Sequence, residues 1–241
     1  MSGDESGELR SARVGVVVPA AGSGQRMGGA RKPFLELLGE PVLWHALRPF
    51  LAEPRVVRVA VALAPDDAAA PPEWLRALAP RVVVVPGGAT RSQSVRCALA
   101  ALPEDLDVIA VHDAARPLVT TSVVSACIEV ALAGFGAVAG CTVVDTLKRV
   151  GADGAVLGTP ERAGMWHAQT PQAFEAHVLR AAYADPTLEG TDDAGLVERA
   201  DTATVVRMVD AGSSNLKVTR PLDVLVAEAI LRSRPEGPGG P

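Results

Sequence analysis

Lysine is scarce in this chain. Lys32, Lys148 and Lys217 stand among twenty arginines in 241 residues. Arginine therefore serves almost all of the solvated cationic surface, and each lysine falls in a polar, turn-rich string. A compact ammonium suits a tight anion site that arginine's wide planar fork does not, so the three lysines are candidates for ligand contact. Cysteine is scarce as well. Cys97, Cys127 and Cys141 are scattered, with no C-x-x-C pair, which argues against a structural zinc or a disulfide framework and suits a reducing cytoplasm. In Ala/Val-rich surroundings they read as core residues. There is no basic excess: the net charge is −5, so no electrostatic footprint for a nucleic-acid backbone exists. No apolar run is long enough to span a membrane, and residues 1–13 are polar and mildly acidic, unlike a signal peptide. A nucleophile elbow, a Cys/His signature, internal repeats and a domain linker are all missing.

What is present is organised around Val14 to Leu38, VGVVVPAAGSGQRMGGARKPFLELL. An apolar β-branched run, Val14 to Val18, reads as a buried strand. Ala20, Ala21, Gly22, Ser23 and Gly24 follow with almost no side-chain bulk. Such residues let a ligand approach the backbone, and successive N–H groups in the turn can cradle an anion. Arg26 and Lys32 add positive charge at the rim. The stretch reads as a phosphate-binding loop, with an ordinary glycine-rich turn as the alternative. Met27 stands where the dinucleotide fingerprint needs glycine. Ala30 and Arg31 stand where a Walker loop needs Lys and Ser/Thr.

The rest of the chain alternates strands and helices. Apolar content of 48% supports a sizeable core. A helix is expected over Val42 to Ala52, with His45 structural. Strands are expected over Val56 to Leu63, Val82 to Val85, Val108 to His112, Gly136 to Thr142 and Thr204 to Val209. A short helix opens at Pro71-Pro72, and others run from Thr121 to Ala133, Gln172 to Ala184, Thr191 to Ala200 and on to about Arg232. All-apolar strands of this kind form parallel sheets covered on both faces. The expected fold is therefore α/β: an open, mostly parallel, Rossmann-like sheet with helices on both faces. Residues 14–234 form one domain between disordered tails at 1–13 and 235–241. Val143 to Thr159 breaks the pattern. It has no helical period and carries the hairpin signal Asp153-Gly154. An extended β-arm over about 143–162 needs a partner, because a lone hairpin is not stable in water. A homodimer is the natural arrangement.

Two ligand-facing turns follow strands. Gly87 and Gly88 open the first, ahead of Arg91 and Ser94. Asp113 and Arg116 lie in the second, V-H-D-A-A-R-P, at the carboxyl end of a central strand, where open α/β sheets place ligand chemistry. A helix cap is the alternative for such an acid, and the Thr191-Asp192-Asp193 string is sufficiently explained as a cap.

The small-residue loop resembles the signature of nucleotidyltransferases that join a nucleoside triphosphate to a sugar or polyol phosphate, A-A-G-x-G-x-R-[ML] followed by Pro-Lys. Here Arg31 precedes Lys32 and Pro33 follows it. V-H-D-A-A-R-P, D-T-L-K from Asp145, Q-T-P-Q-x-F from Gln169 and G-S-S-N-L-K-V-T from Gly212 occur in the family's order. With them the chain is similar to the 2-C-methyl-D-erythritol 4-phosphate cytidylyltransferases over nearly its whole length except the tails. The resemblance implies CTP and a polyol phosphate as substrates and Mg²⁺ as cofactor; the β-arm itself points to a homodimer, and charge and hydropathy to no nucleic-acid or membrane partner. It assigns Arg26, Lys32 and Lys217 to the triphosphate. Ala20, Ala21, Gly22, Ser23, Gly24, Gly87 and Gly88 lie along the nucleotide, and Ser94 offers the base a hydroxyl. Asp113 would hold Mg²⁺, with His112 given no part. Arg116, Asp145, Thr146, Lys148, Arg162 and Thr170 flank the polyol phosphate. A cytidylyltransferase for another polyol phosphate, such as ribitol 5-phosphate, shares fold, loop and metal.

Overall fold

The computed structural model describes residues 11–22, 32–200 and 202–234. In chain order its elements are β1 (Val14–Ala20), β2 (Glu36–Leu37), β3 (Glu40–Pro41), α1 (Val42–Ala52), β4 (Val56–Leu63), α2 (Pro65–Ala69), α3 (Glu73–Arg76), β5 (Val82–Pro86), α4 (Arg91–Ala100), β6 (Val108–Val111), α5 (Thr121–Leu132), β7 (Gly136–Thr142), β8 (Arg149–Val150), β9 (Val156–Gly158), β10 (Trp166–Glu175), α6 (Ala176–Ala182), α7 (Asp193–Arg199), β11 (Val206–Asp210) and α8 (Pro221–Ser233). Seven strands form one sheet in the order β11-β7-β10-β6-β1-β4-β5. Every pairing in it is parallel except those of β10, which runs antiparallel between β6 and β7.

Alternation along the strands divides the core. Val14, Val16 and Val18 join Leu43, Leu47 and Phe50 of α1 and Val124, Cys127 and Ile128 of α5 on one face. Val17, with Ala60 and Ala62 of β4, packs against Val95 and Leu99 of α4 and Leu179 and Leu196 on the other. Helices thus cover both faces, the condition under which an all-apolar strand such as β1 is stable. A third cluster, around Leu37, Leu118, Val218 and Ala227, seats α8. His45 is structural: its Nε2 donates to Leu37 O at 2.9 Å.

Two expectations need correction. Gln172 to Phe174 are strand, not helix. They pair with Val111, Ala110 and Ile109 of β6, and helix begins only at Ala176. A strand buried on both faces carries no alternation to betray it. The tail assignment fails at Arg13, whose N–H donates to Asp107 Oδ2 at 2.7 Å and whose carbonyl accepts from Asp107 N–H. Residues 1–10 and 235–241 lie outside the described residues. At the arm, β8 and β9 pair across a turn with Gly154 at φ +84, and Asp153 Oδ1 accepts from Ala155 N–H. Val144, Val150, Val156 and Leu157 are all exposed there.

Candidate active site

Because β1, β5, β6, β7 and β11 run the same way, the turns that follow them open on one edge of the sheet. The antiparallel β10 brings the start of its own strand to that edge. Its ladder to β7 shifts register between Ala168 and Gln172, and Thr170 there meets the end of β6.

Asp113 is the hub. It follows β6 and is almost fully buried. Oδ1 accepts from Arg91 Nε at 3.2 Å, and Oδ2 accepts from Lys217 Nζ at 2.7 Å. Arg116 Nε lies 3.9 Å from Oδ2. Burial alone would raise the pKa of this carboxyl, but Arg91 and Lys217 hold it well below the usual carboxylate range. Asp113 is therefore ionised at any working pH. Lys217, 42% exposed at its side chain, remains open to a ligand.

The backbone of Asp113 is fixed by a directional chain. Its N–H donates to Thr170 Oγ1 at 3.0 Å, and Thr170 Oγ1 lies 3.1 Å from His112 Nδ1. His112 Nε2 lies 3.0 Å from Arg116 O. A carbonyl only accepts, so Nε2 carries the proton. Nδ1 then accepts from the Thr170 hydroxyl. Burial keeps this imidazole neutral by pushing its pKa down to about 4. The threonine expected to offer a hydroxyl to the substrate thus gives it to His112. Arg116 is held by Asn215 O at 2.8 Å, and Asn215 Nδ2 reaches Gln169 Oε1 and Thr170 O. Arg116 Nε and Asn215 Oδ1 are buried without a hydrogen-bond partner among the described residues.

The glycine turn after β5 lies against the end of β1. A Cβ on Gly87 would fall 2.5 Å from Ala21 Cβ and 2.9 Å from Ser94 Oγ, so only glycine fits. Gly88 N–H donates to Ser94 Oγ at 3.2 Å, and Ser94 Oγ donates to Thr90 O at 2.9 Å. Ser94 thereby shapes the turn. Ala20, Ala21 and Gly22 lie at the end of β1, while Ser23, Gly24 and Arg26 lie outside the described residues. The backbone of Lys32 opens a single 3₁₀ turn.

Sequence reasoning missed Arg91 and Asp193 as members of this site. Arg91 NH1 and NH2 grip Asp193 at 3.0 and 2.7 Å, while its Nε holds Asp113. The clue was the pair of acids in Thr191-Asp192-Asp193, since a cap needs one. The residues of the arm are not joined to the hub. Lys148 Nζ donates to Thr159 Oγ1 at 2.7 Å, and Arg162 donates to Val144 O. Among the described residues no hydrogen bond or ion pair links Asp145, Thr146, Lys148 or Arg162 to Asp113.

The arrangement concentrates three cationic side chains around the Asp113 carboxylate at the edge of the sheet where the glycine turn lies. It can position and neutralise phosphates. Residues 14–233 match the family model described as IspD, 2-C-methyl-D-erythritol 4-phosphate cytidylyltransferase. A protein of that name from Symbiobacterium thermophilum is 45% identical over 227 residues, covering 90% of this chain and 92% of the relative. One from Streptomyces avermitilis is 42% identical over 247 residues, covering 97% and 98%. Among solved structures, the 2-C-methyl-D-erythritol 4-phosphate cytidylyltransferase of Thermus thermophilus superposes with a TM-score of 0.76 at 34% identity, covering 91% of this chain and 99% of that one. The 4-diphosphocytidyl-2C-methyl-D-erythritol synthase of Anaerococcus prevotii gives 0.81 at 27% identity, covering 92% and 97%. Motif order, sheet topology and these likenesses agree, and the chain belongs to the 2-C-methyl-D-erythritol 4-phosphate cytidylyltransferase family.

Proposed function

We propose that this chain transfers CMP from CTP to 2-C-methyl-D-erythritol 4-phosphate. A phosphate oxygen of the polyol substrate forms a bond to the α-phosphorus of CTP. The bond from that phosphorus to the bridging oxygen of the β-phosphate breaks, and pyrophosphate leaves. The product is 4-diphosphocytidyl-2-C-methyl-D-erythritol. The observation that carries this reading is the Asp113–Lys217 pair, flanked by Arg91 and Arg116, at the edge of the sheet where the Gly87–Gly88 turn meets Ala21.

Catalysis of this type is positioning plus electrostatics. Lys217 presents an exposed ammonium to the reacting phosphates, and Arg26 and Lys32 supply further charge from the small-residue loop. Ala20, Ala21, Gly22, Ser23 and Gly24 admit the triphosphate to the backbone, and Gly87 and Gly88 offer backbone groups to the cytosine edge. Arg116, with one buried N–H unpaired, suits an anionic oxygen. Asp145, Thr146, Lys148 and Arg162 serve the polyol phosphate, in the neighbouring subunit of a homodimer joined through the arm. The exposed Val144, Val150, Val156 and Leu157 support that assembly, because apolar side chains on a thin hairpin gain most from being covered.

Magnesium belongs to the same reading. The donor set suits it in one way only. Asp113 is ionised, and its carboxylate has about four lone-pair positions, of which Arg91 and Lys217 occupy one on each oxygen. No group of three His, Cys, Asp or Glu side chains able to hold a metal occurs among the described residues. That matches a cation held chiefly by substrate phosphates with one protein carboxylate. When bound, Mg²⁺ supplies charge neutralisation on the triphosphate. A cytoplasmic setting completes the proposal. It is supported by three unpaired cysteines, and no helix among the described residues is long and apolar enough to cross a membrane.

Pyrophosphate release measured against a panel of triphosphates and polyol phosphates tests the whole reading. CTP with 2-C-methyl-D-erythritol 4-phosphate should be the productive pair. Equal turnover of ribitol 5-phosphate would move the assignment to that substrate.

A further inference from the structure

We propose that Asp193, at the first turn of α7, is a positioning residue for this transfer, acting through Arg91 on Asp113. The inference rests on Asp113 and Lys217 working at the reacting phosphates.

Asp193 is fully buried, and its carboxylate is not consumed by the helix it begins. The cap is Asp192, whose Oδ1 accepts from Gly195 N–H at 3.0 Å. The N–H groups of Asp193 and Ala194 both donate to Gln172 Oε1. What the Asp193 carboxylate does instead is hold Arg91 in a two-point grip and accept from Tyr183 OH at 2.5 Å. A guanidinium is one rigid plane. Fixing NH1 and NH2 on Asp193 therefore fixes Nε, and Nε is the atom on Asp113 Oδ1. Asp113 Oδ2 is then the oxygen that meets Lys217. An unbroken line of three ion pairs runs from α7 to the exposed ammonium.

Burial favours loss of the Arg91 proton. Asp193 and then Asp113 outweigh it, and the guanidinium pKa ends above the ordinary arginine value. A wholly buried ion is costly and contributes little net stability compared with an apolar replacement, whereas directional placement of charge is what an apolar side chain cannot provide. The surroundings of Asp193 are also rigid. Arg96, one turn along α4 from Arg91, donates to Tyr183 O, Asp185 O and Leu188 O. Thr90 Oγ1 donates to Glu189. The segment before α7 is thus fastened to the helix that follows the Gly87–Gly88 turn. Arg91 connects that turn to Asp113.

The test is steady-state kinetics of the full chain carrying Asp193→Asn or Arg91→Lys, with CTP and the polyol phosphate, alongside circular dichroism and thermal melts. The amide replaces one of the two acceptor oxygens with a donor and removes the charge, so the two-point grip is lost, and lysine keeps the charge but lacks the rigid fork that spans two carboxylates. In both variants kcat should fall roughly tenfold or more while the KM for CTP stays within about threefold, the pattern of a lost transition-state interaction. The folded fraction at the assay temperature should match the unaltered chain. Where Asp193→Asn does not fold, Arg91→Lys decides alone. Undiminished kcat in a folded variant, or a loss that only tracks the unfolded fraction, overturns the positioning role. An inactive unaltered chain would instead remove the functional reading beneath it.

Discussion

Lys217 Nζ and Asp113 Oδ2 lie 2.7 Å apart, although 104 residues separate them in sequence. The strand order explains the meeting. Asp113 follows β6, and Lys217 lies in the segment after β11, three strands away in the sheet but at the same edge. The pair fixes an ammonium where a phosphate can reach it. In Lys217→Ala the carboxylate keeps its arginine partners and the core is untouched. We expect kcat to drop by roughly 100-fold, as on loss of one preorganised donor, with little change in thermal stability. Turnover close to that of the unaltered chain would take Lys217 out of the chemistry.

Asp113→Asn tests the metal reading. The amide keeps the size and one acceptor oxygen but lacks the charge that a hard cation prefers. The Mg²⁺ concentration for half-maximal rate should rise by about tenfold or more. An unchanged Mg²⁺ dependence would leave Asp113 as an organiser of arginines and Lys217 only.

The elements that carry this site were largely legible in the sequence. The parallel strands β1, β4, β5, β6 and β7 were readable because each is a short apolar run bounded by turn residues. Strand β10 was not, since Gln169 to Phe174 are buried on both faces and its ladder to β7 shifts register between Ala168 and Gln172. The positions of Asp113 and Lys217 followed from their strings. The link from Asp113 through Arg91 to Asp193 did not, because Arg91 and Asp193 come from elements 22 and 80 residues away and their pairing depends on tertiary packing. The hydrogen bonds of Thr170 and Ser94 were illegible for a related reason. Residue type announces a hydroxyl, but only the fold shows that His112 and the Gly88 turn have already engaged it.

Acid stability has a separate determinant at the far end of the sheet. Glu53 is buried beside Arg55, which donates to it from Nε at 2.7 Å, and Ser125 also donates to it. The Arg55 hydrogen bond outweighs burial and lowers the Glu53 pKa to about 2. A depressed carboxyl pKa means the unfolded chain takes up a proton that the folded chain refuses. The stability from Glu53 is therefore complete above about pH 4.5 and is lost as pH falls toward about 2. Glu53→Gln should be less stable at pH 7, by on the order of 2 kcal/mol, and the two proteins should converge as pH approaches 2. Urea midpoints across this range measure it. A constant gap would show that Glu53 acts through packing.

The glycine turn gives a steric prediction. Gly87→Ala would put a methyl 2.5 Å from Ala21 Cβ and 3.2 Å from Leu63 O. Backbone cannot yield cheaply there, so overpacking should cost about 1–3 kcal/mol. The displaced turn should raise the KM for CTP more than that for the polyol phosphate. Equal effects on both would separate this turn from base recognition.

The arm carries the last prediction. Val156 is 61% and Leu157 65% exposed on a hairpin whose ladder is two short strands, and such a hairpin is not stable alone. In the proposed two-fold dimer each arm would reach the other subunit, and Arg162 would serve the neighbour's site while Lys32 would serve its own. Lys32→Ala and Arg162→Ala should each be nearly inactive as pure proteins. Mixed in equal amounts and allowed to exchange subunits, half of the dimers pair one chain of each kind. Each such dimer holds one site with both residues intact and one with neither. Activity should then recover to about a quarter of that of the unaltered protein, as two-fold symmetry and random exchange require. If each site drew Lys32 and Arg162 from a single chain, no mixture could contain an intact site and no recovery would appear. Sedimentation of the mixture shows whether exchange took place, so an absent recovery in a dimer that has exchanged would assign both residues to one subunit.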